Sequence, residues 1–169
     1  PWDALASLPL AVTLAVHDAI ASVLPVEAAE ALRIKWPNDV LIGGRKTSGI
    51  LIEAEQLSGG RRAVVIGCGI NVAHRPDTGL YPSTCLAEQG SSATPQELFA
   101  RLVVAMDEVL GMWNRGQGLA QIRDSWLDRA DGIGKPVTVN LPDRQIHGLF
   151  DGIDDEGRLM LAMADGSRQ

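Results

Sequence analysis

The chain has 169 residues, of which 46% are hydrophobic and 21% charged, enough for one buried core or one core with a small appended domain. Its formal net charge of -6, from 15 basic and 21 acidic residues, argues against a basic face for nucleic acid. No apolar run reaches the roughly 20 residues that cross a bilayer, and no signal peptide is evident. We therefore expect a cytoplasmic protein that binds neither nucleic acid nor membrane.

The predicted elements are helices and short strands. Apolar residues recur at helical spacing from residue 8 to 24, where Pro25 ends the run, and Thr94-Pro95-Gln96-Glu97 is typical of a helix start with Thr94 as N-cap. Residues 63–66 are apolar and continuous, which favours a central strand covered on both faces. In chain order we predict a helix over 8–24, strands over 32–36, 40–42, 50–54 and 63–66, helices over 95–113 and 119–130, and strands over 137–139, 147–153 and 159–162.

Composition changes after Asp131-Gly132-Ile133-Gly134, where helix gives way to alternating strands separated by turns. This pattern is typical of a small antiparallel barrel or sandwich. We predict an α/β (α+β) fold: a domain over 1–131 with a mixed sheet and packed helices, followed by a small β domain over 132–169. Because the chain begins at Pro1 and stops soon after the turn at Asp165-Gly166, we expect a piece of a longer protein.

The two cysteines carry no metal or disulfide signal. Cys68 and Cys85 lie far apart, form no CxxC pair and have no histidine at ligand spacing. We expect both to be reduced, structural thiols. His17, His74 and His147 are given no catalytic role, and His17 is expected to pack within its helix.

The strongest chemical signal is Lys35-Trp36-Pro37-Asn38-Asp39-Val40, followed by Gly44-Arg45-Lys46-Thr47-Ser48-Gly49-Ile50-Leu51-Ile52-Glu53. Two lysines, an arginine, an amide and a carboxylate would be presented at strand ends and in one hairpin. Cations beside a carboxylate and a phosphate stabilise the charge of a reacting acyl phosphate, and a carboxylate can hold the magnesium of ATP. Taken singly, Lys35 and Lys46 also fit solvated surface charges, and Asp39 a turn cap.

The order of these residues resembles the biotin-protein ligase family, whose pattern is KWPND(V/L), a GRK-x-x-GIL-x-E hairpin and a G-x-G-x-N strand end. The third motif is present as Gly67-Cys68-Gly69-Ile70-Asn71, and Tyr81-Pro82-Ser83-Thr84-Cys85-Leu86 resembles the family's loop before its last catalytic helix. The tail from Gly134 to Gly166 resembles the family's SH3-like domain. The resemblance implies the biotin/lipoate ligase fold and an AMP-forming ligase that uses ATP, biotin and Mg2+. Its protein substrate would be the biotin carboxyl carrier domain of acetyl-CoA carboxylase or another biotin carboxylase, and the enzyme a monomer or homodimer.

The resemblance also implies residue roles. Lys46 would contact the biotin carboxylate and then the phosphate of biotinyl-AMP, as the main electrostatic catalyst. The other implied roles are Lys35, Asn38 and Asp39 at the nucleotide phosphates, with Asp39 or Asn38 as the magnesium contact; Gly49 and Ile50 in the biotin pocket; and Asn71 at the adenine.

The sequence lacks the family's Ser/Thr-rich strand and the loop that follows it, and it leaves two alternatives open. The family's biotin-enclosing GRGRxGR loop is absent from this sequence, which puts the activity of the piece alone in doubt, since water would reach the intermediate. One alternative is a lipoate or octanoate ligase on the same fold, although Trp36-Pro37-Asn38-Asp39 resembles the biotin branch. The other is a non-enzymatic relative that binds biotin or a carrier domain.

Overall fold

The computed structural model describes residues 2–76, 79 and 81–169. Its strands form two antiparallel sheets, with the helices packed around the first. The helices are α1 (Trp2–Leu5), α2 (Leu8–Ala21), α3 (Val26–Glu30), α4 (Pro95–Trp113) and α5 (Leu119–Leu127). The strands are β1 (Leu32–Lys35), β2 (Asp39–Ile42), β3 (Arg45–Gln56), β4 (Arg62–Ile70), β5 (Pro136–Asn140), β6 (Gln145–Ile153) and β7 (Leu159–Ala162).

The first sheet has the strand order β1-β2-β3-β4, and every neighbouring pair is antiparallel. Parallel pairing occurs at isolated bridges, where Ile34 meets Ala130 and Lys46 meets Ser83. The combination of packed helices, a sheet and a small β unit confirms the predicted fold class. The mixed character of the sheet comes from these bridges rather than from long parallel strands.

Helix α2 lies at the centre of the core and is buried along most of its length. It packs against both the sheet and α4, so an almost wholly apolar sequence is accommodated without an exposed face. His17 is buried, as predicted, and its Nδ1 lies 2.9 Å from Asp18 Oδ1. At the C-terminal end of α4, Trp113 donates its indole N–H to Ser7 Oγ at 2.9 Å.

Helix α4 begins at the predicted residue because of its cap. Thr94 Oγ1 accepts from the Glu97 backbone N–H at 3.2 Å, while the Glu97 carboxylate accepts from the Thr94 N–H at 2.8 Å. This reciprocal pair satisfies two donors that a helix start leaves free. The helix then ends at Trp113, also as predicted.

The second sheet, β5-β6-β7, packs against the end of α5. Trp126 is fully buried, and its ring lies edge-on to Phe150, with the centroids 6.5 Å apart. Arg123 donates to the Ile153 carbonyl at 2.8 Å. Between the two sheets, the Ile34 N–H donates to the Arg129 carbonyl at 2.8 Å, so the connecting segment continues the first sheet beyond β1.

The strand predicted over 63–66 is present as β4, but its predicted central position is wrong for the described residues. Strand β4 is longer and lies at one end of the β1-β2-β3-β4 order, and Val65 is 60% exposed. Its partner β3 begins at Arg45 and extends to Gln56, well beyond the predicted 50–54. Pairing with β4 accounts for this length, because the polar end of β3 has little strand propensity of its own.

Other boundaries differ by a few residues. Helix α2 ends at Ala21 and α5 at Leu127, each three residues earlier than predicted, and the short helices α1 and α3 were not predicted. Cys68 and Cys85 are both free thiols, as expected. Within the described residues, no helix is both long and apolar enough to cross a membrane.

Candidate active site

Strand register brings together motifs that are distant in the sequence. Lys35 pairs with Asp39, Asp39 with Gly49, and Gly49 with Gly69, which makes one row across all four strands of the first sheet. Directly paired residues project from the same face of a sheet. The row therefore places the KWPND segment, the hairpin and the glycine-rich strand end on one surface.

A β-bulge turns Lys46 towards this surface. The register of β2 and β3 shifts between Val40 and Leu41, so that Lys46 pairs with Leu41 while Ser48 pairs with Val40. In a regular strand, residues three apart such as Lys46 and Gly49 would project from opposite faces. The extra residue at the bulge restores them to the same side, as bulges near functional sites often do.

The Lys46 ammonium is held by two groups. Its Nζ lies 2.5 Å from Asp39 Oδ1, and both side chains are only partly exposed, at 26% and 20%. The ring of Tyr81 lies over the same ammonium, with Nζ 5.1 Å from the centroid. Gly49 leaves the space that the lysine occupies, because a Cβ at that position would lie 3.2 Å from both Cε and Nζ of Lys46.

A cleft of about 570 Å³ opens beside this ion pair. Its size is in the range of small-molecule sites. The lining residues are Asn38, Asp39, Lys46, Gly49, Ile50, Leu51, Gly67, Cys68 and Gly69. Ile50 is only 4% exposed, so its side chain belongs to the core and a ligand would meet mainly its backbone.

The two asparagines are fixed by backbone hydrogen bonds. Asn38 Nδ2 donates to the Ile50 carbonyl at 2.5 Å, and the Ile50 N–H donates back to the Asn38 carbonyl at 3.1 Å. Asn71 Nδ2 donates to the Thr84 carbonyl at 2.9 Å, which attaches the loop around residues 82–86 to the end of β4. Asn71 also lines a cavity of about 70 Å³ that adjoins Lys46 and Tyr81.

The structure thus brings Asn38, Asp39, Lys46, Gly49 and Ile50 to one cleft and Asn71 to its margin. Lys35 lies in the same row but is exposed and is not among the residues that line the cleft. Its assignment to the nucleotide phosphates is a prediction that rests on the resemblance.

The sequence motifs give no role to Tyr81, Cys68, Leu51 or Gly67, although the last three line the cleft and Tyr81 lies over Lys46. The alternation of β3 could have indicated Leu51, which lies on the Gly49 face. No local signal indicates the position of Tyr81.

Cys68 is a half-buried free thiol that lines the cleft. Burial raises the pKa of its thiol, which favours the protonated form at neutral pH. Because the thiolate is the reactive species, this environment lowers the reactivity of Cys68.

The side chains that could act as ligands limit how magnesium would be bound. No group of three or more His, Cys, Asp or Glu side chains gathers anywhere in the described ranges. Magnesium bound with a nucleotide commonly uses one or two protein carboxylates, completed by phosphates and water. A single carboxylate such as that of Asp39 is compatible with a nucleotide-bound ion, and its assignment as the magnesium ligand is a prediction that rests on the resemblance.

Two family models match the chain. Residues 4–71 match the biotin/lipoate A/B protein ligase family, and residues 132–169 match the biotin protein ligase C-terminal domain. The chain is 37% identical over 164 residues to the biotin–acetyl-CoA-carboxylase ligase of Paracoccus denitrificans, covering 94% of this chain and 67% of that protein. The chain belongs to the biotin protein ligase family.

Other ligase relatives are longer. The ligase of Mycobacterium tuberculosis is 36% identical, with 95% of this chain covering 58% of that protein. The bifunctional ligase/repressor BirA of Escherichia coli strain K12 is 32% identical, with 90% covering 48%. The chain therefore spans between about half and two thirds of the length of these ligases.

Solved structures support the same fold. The biotin protein ligase of Aquifex aeolicus in complex with biotin and ATP superposes with a TM-score of 0.80 at 24% identity, covering 98% of this chain and 67% of that one. Its apo structure gives a TM-score of 0.79. At this identity the ligase structures establish the shared fold alone.

Proposed function

We propose that this chain is part of an ATP-dependent biotin-protein ligase that forms biotinyl-AMP and transfers biotin to a lysine of a carrier domain. The observation that carries the proposal is the Lys46 ammonium, placed over Gly49 beside a substrate-sized cleft and paired with Asp39. Family membership supports it, as do the relatives named as biotin–acetyl-CoA-carboxylase ligases.

The first step joins biotin to AMP. A biotin carboxylate oxygen attacks the α-phosphorus of ATP, and the bond to pyrophosphate breaks. Both reactants are anions, so Lys46 neutralises their repulsion and the charge that develops between them. Magnesium, when bound, would shield the phosphates, with Asp39 as its protein ligand; Asn38 and Lys35 are assigned to the same phosphates.

The second step transfers biotin to protein. The amine of a carrier-domain lysine attacks the acyl carbon of biotinyl-AMP, the bond to the phosphate oxygen breaks, and the amine proton passes to solvent. Lys46 then stabilises the departing AMP. We assign the biotin to the backbone of Gly49 and Ile50 and the adenine to the side of Asn71.

The decisive variant is Lys46→Ala in the full-length protein. We expect loss of biotin-dependent exchange between ATP and pyrophosphate, and of biotin transfer to a carrier domain. The melting temperature should stay unchanged, because Lys46 is partly exposed and contributes little to the core. Lys135→Ala is the matched control, since Lys135 is 70% exposed in the second sheet's domain. Near wild-type turnover by Lys46→Ala would refute the assignment.

The exchange assay, paired with a titration of biotin binding, separates the alternatives. If lipoate or octanoate, and not biotin, supports the exchange between ATP and pyrophosphate, the protein belongs to the lipoate branch. Biotin binding without exchange would indicate a non-enzymatic relative. Five further statements stay predictions. They are the acceptor carboxylase, the monomeric or homodimeric state, the cytoplasmic location, the absence of nucleic-acid binding and the domain division after residue 131.

A further inference from the structure

We propose that Tyr81 is a positioning residue that keeps the Lys46 ammonium at the cleft when a substrate displaces it from Asp39. The proposal rests on the proposed function of Lys46. It concerns an aromatic ring that the biotin-ligase motifs leave without a role.

The geometry fits an attraction between the cation and the ring. Lys46 Nζ lies 5.1 Å from the centroid of Tyr81, within the roughly 6 Å at which a ring face attracts an ammonium. Asp39 holds the same nitrogen at 2.5 Å. The ammonium therefore has two partners, one anionic and one neutral.

The two partners differ in what they do to the reaction. Asp39 cancels the positive charge of Lys46, so it must release the ammonium before that charge can act on a carboxylate and a phosphate. An aromatic ring attracts the cation through its quadrupole but carries no net charge. Tyr81 can therefore hold Lys46 in place while leaving its charge available to the substrate.

Packing does not explain the position of the ring, since Tyr81 is 50% exposed. The loop that carries it is attached by hydrogen bonds to its backbone instead. The Lys46 N–H donates to the Pro82 carbonyl and the Thr84 N–H donates to the Lys46 carbonyl, both at 2.9 Å, and Asn71 binds the Thr84 carbonyl. Replacement of the Tyr81 side chain should therefore leave the loop and the fold intact.

The first test compares Tyr81→Leu with Tyr81→Phe in the full-length protein. Leucine removes the ring, and kcat/KM for biotin-dependent exchange should fall by about three- to tenfold, the range of a partly desolvated cation–ring contact. Phenylalanine keeps the ring and should restore activity. Phe99→Leu, which removes an exposed ring on α4, is the matched control and should have no effect. Wild-type activity in Tyr81→Leu, or equal loss in Tyr81→Phe, would overturn the proposal.

A second test keeps the side-chain size nearly constant. Phenylalanines with increasing numbers of fluorine atoms at position 81 weaken the negative ring face, so log(kcat/KM) should fall stepwise with each fluorine. The absence of a trend would overturn the proposal even if Tyr81→Leu failed to fold.

A third measurement does not depend on activity. With lysines labelled at Cε, the Lys46 signal, assigned by its loss in Lys46→Ala, should shift when the ring is removed in Tyr81→Leu and not in Tyr81→Phe. An unchanged signal would show that the ring is not over Lys46. If the signal responds while the wild-type protein catalyses no exchange, the contact stands and the ligase function fails.

Discussion

Substitution of Gly49 by alanine is a direct test of how closely the site depends on the position of Lys46. A Cβ at Gly49 would lie 3.2 Å from Cε and Nζ of Lys46 and 3.5 Å from Asp39 Oδ1. Ordinary contacts begin near 3.4 Å, so the end of the lysine must withdraw by a few tenths of an ångström. The flexible lysine can move that far without disturbing the sheet.

The expected effect is therefore on activity and not on folding. Gly49 is not among the glycines with positive φ, so alanine fits its backbone conformation. Glycine costs about 0.5–1 kcal/mol relative to alanine inside a strand, so the free energy of unfolding should stay constant or rise slightly. Because a 1 Å misplacement costs roughly 100-fold in rate, a few tenths of an ångström should lower kcat by about three- to tenfold.

The assay pairs exchange of ATP with pyrophosphate and denaturant unfolding on the same samples. Gly69→Ala is the matched control, because its Cβ would join the same face at an ordinary 3.7 Å from the Gly49 carbonyl oxygen. Equal losses in the two variants would mean that filling the cleft, not moving Lys46, lowers the rate. Wild-type exchange activity in Gly49→Ala would refute the reasoning.

Three further predictions concern stability. Thr94→Ala removes the cap of α4 and should lower the free energy of unfolding by about 1 kcal/mol, whereas Ser92→Ala in the preceding loop should have no effect. Trp126→Ala empties a fully buried site between α5 and β6 and should cost about 3–5 kcal/mol, measured by denaturant unfolding. Burial would raise the pKa of Asp154, but hydrogen bonds from the Arg158 backbone and side chain outweigh it and hold that pKa below 3.8. Its contribution is therefore present above pH 3.8 and lost as the pH falls through the lower folded pKa. Asp154→Asn should weaken this acid sensitivity, and an unchanged pH dependence would contradict it.

Local patterns were sufficient for several elements. The bounds of α4 follow from Thr94, Pro95 and the apolar spacing up to Trp113, since a capping box and a helical repeat act within one stretch of chain. The chemistry of the site could also be predicted from the sequence, because a lysine, an amide and a carboxylate occur together in one short segment and its hairpin. Their order was enough to indicate the family.

Contacts between distant segments could not be predicted from local sequence patterns. The apolar run of β4 predicts a strand covered on both faces, yet Val65 is exposed. The composition of β4 does not show that this strand lies at one end of the strand order. The position of Tyr81 over Lys46 depends on a bridge between β3 and a loop more than thirty residues later. Propensity carries no information about such a pairing.

Residue types and their spacing thus determine which groups are available for acyl-phosphate chemistry, whereas strand register decides whether those groups meet. The bulge after Val40 places Lys46 and Gly49 on one face, and the row from Asp39 through Gly49 to Gly69 aligns the three motifs. Register is a tertiary property because it is set by the burial of the opposite faces of all four strands together. A slip by one residue would preserve every motif and separate the ammonium from its cleft.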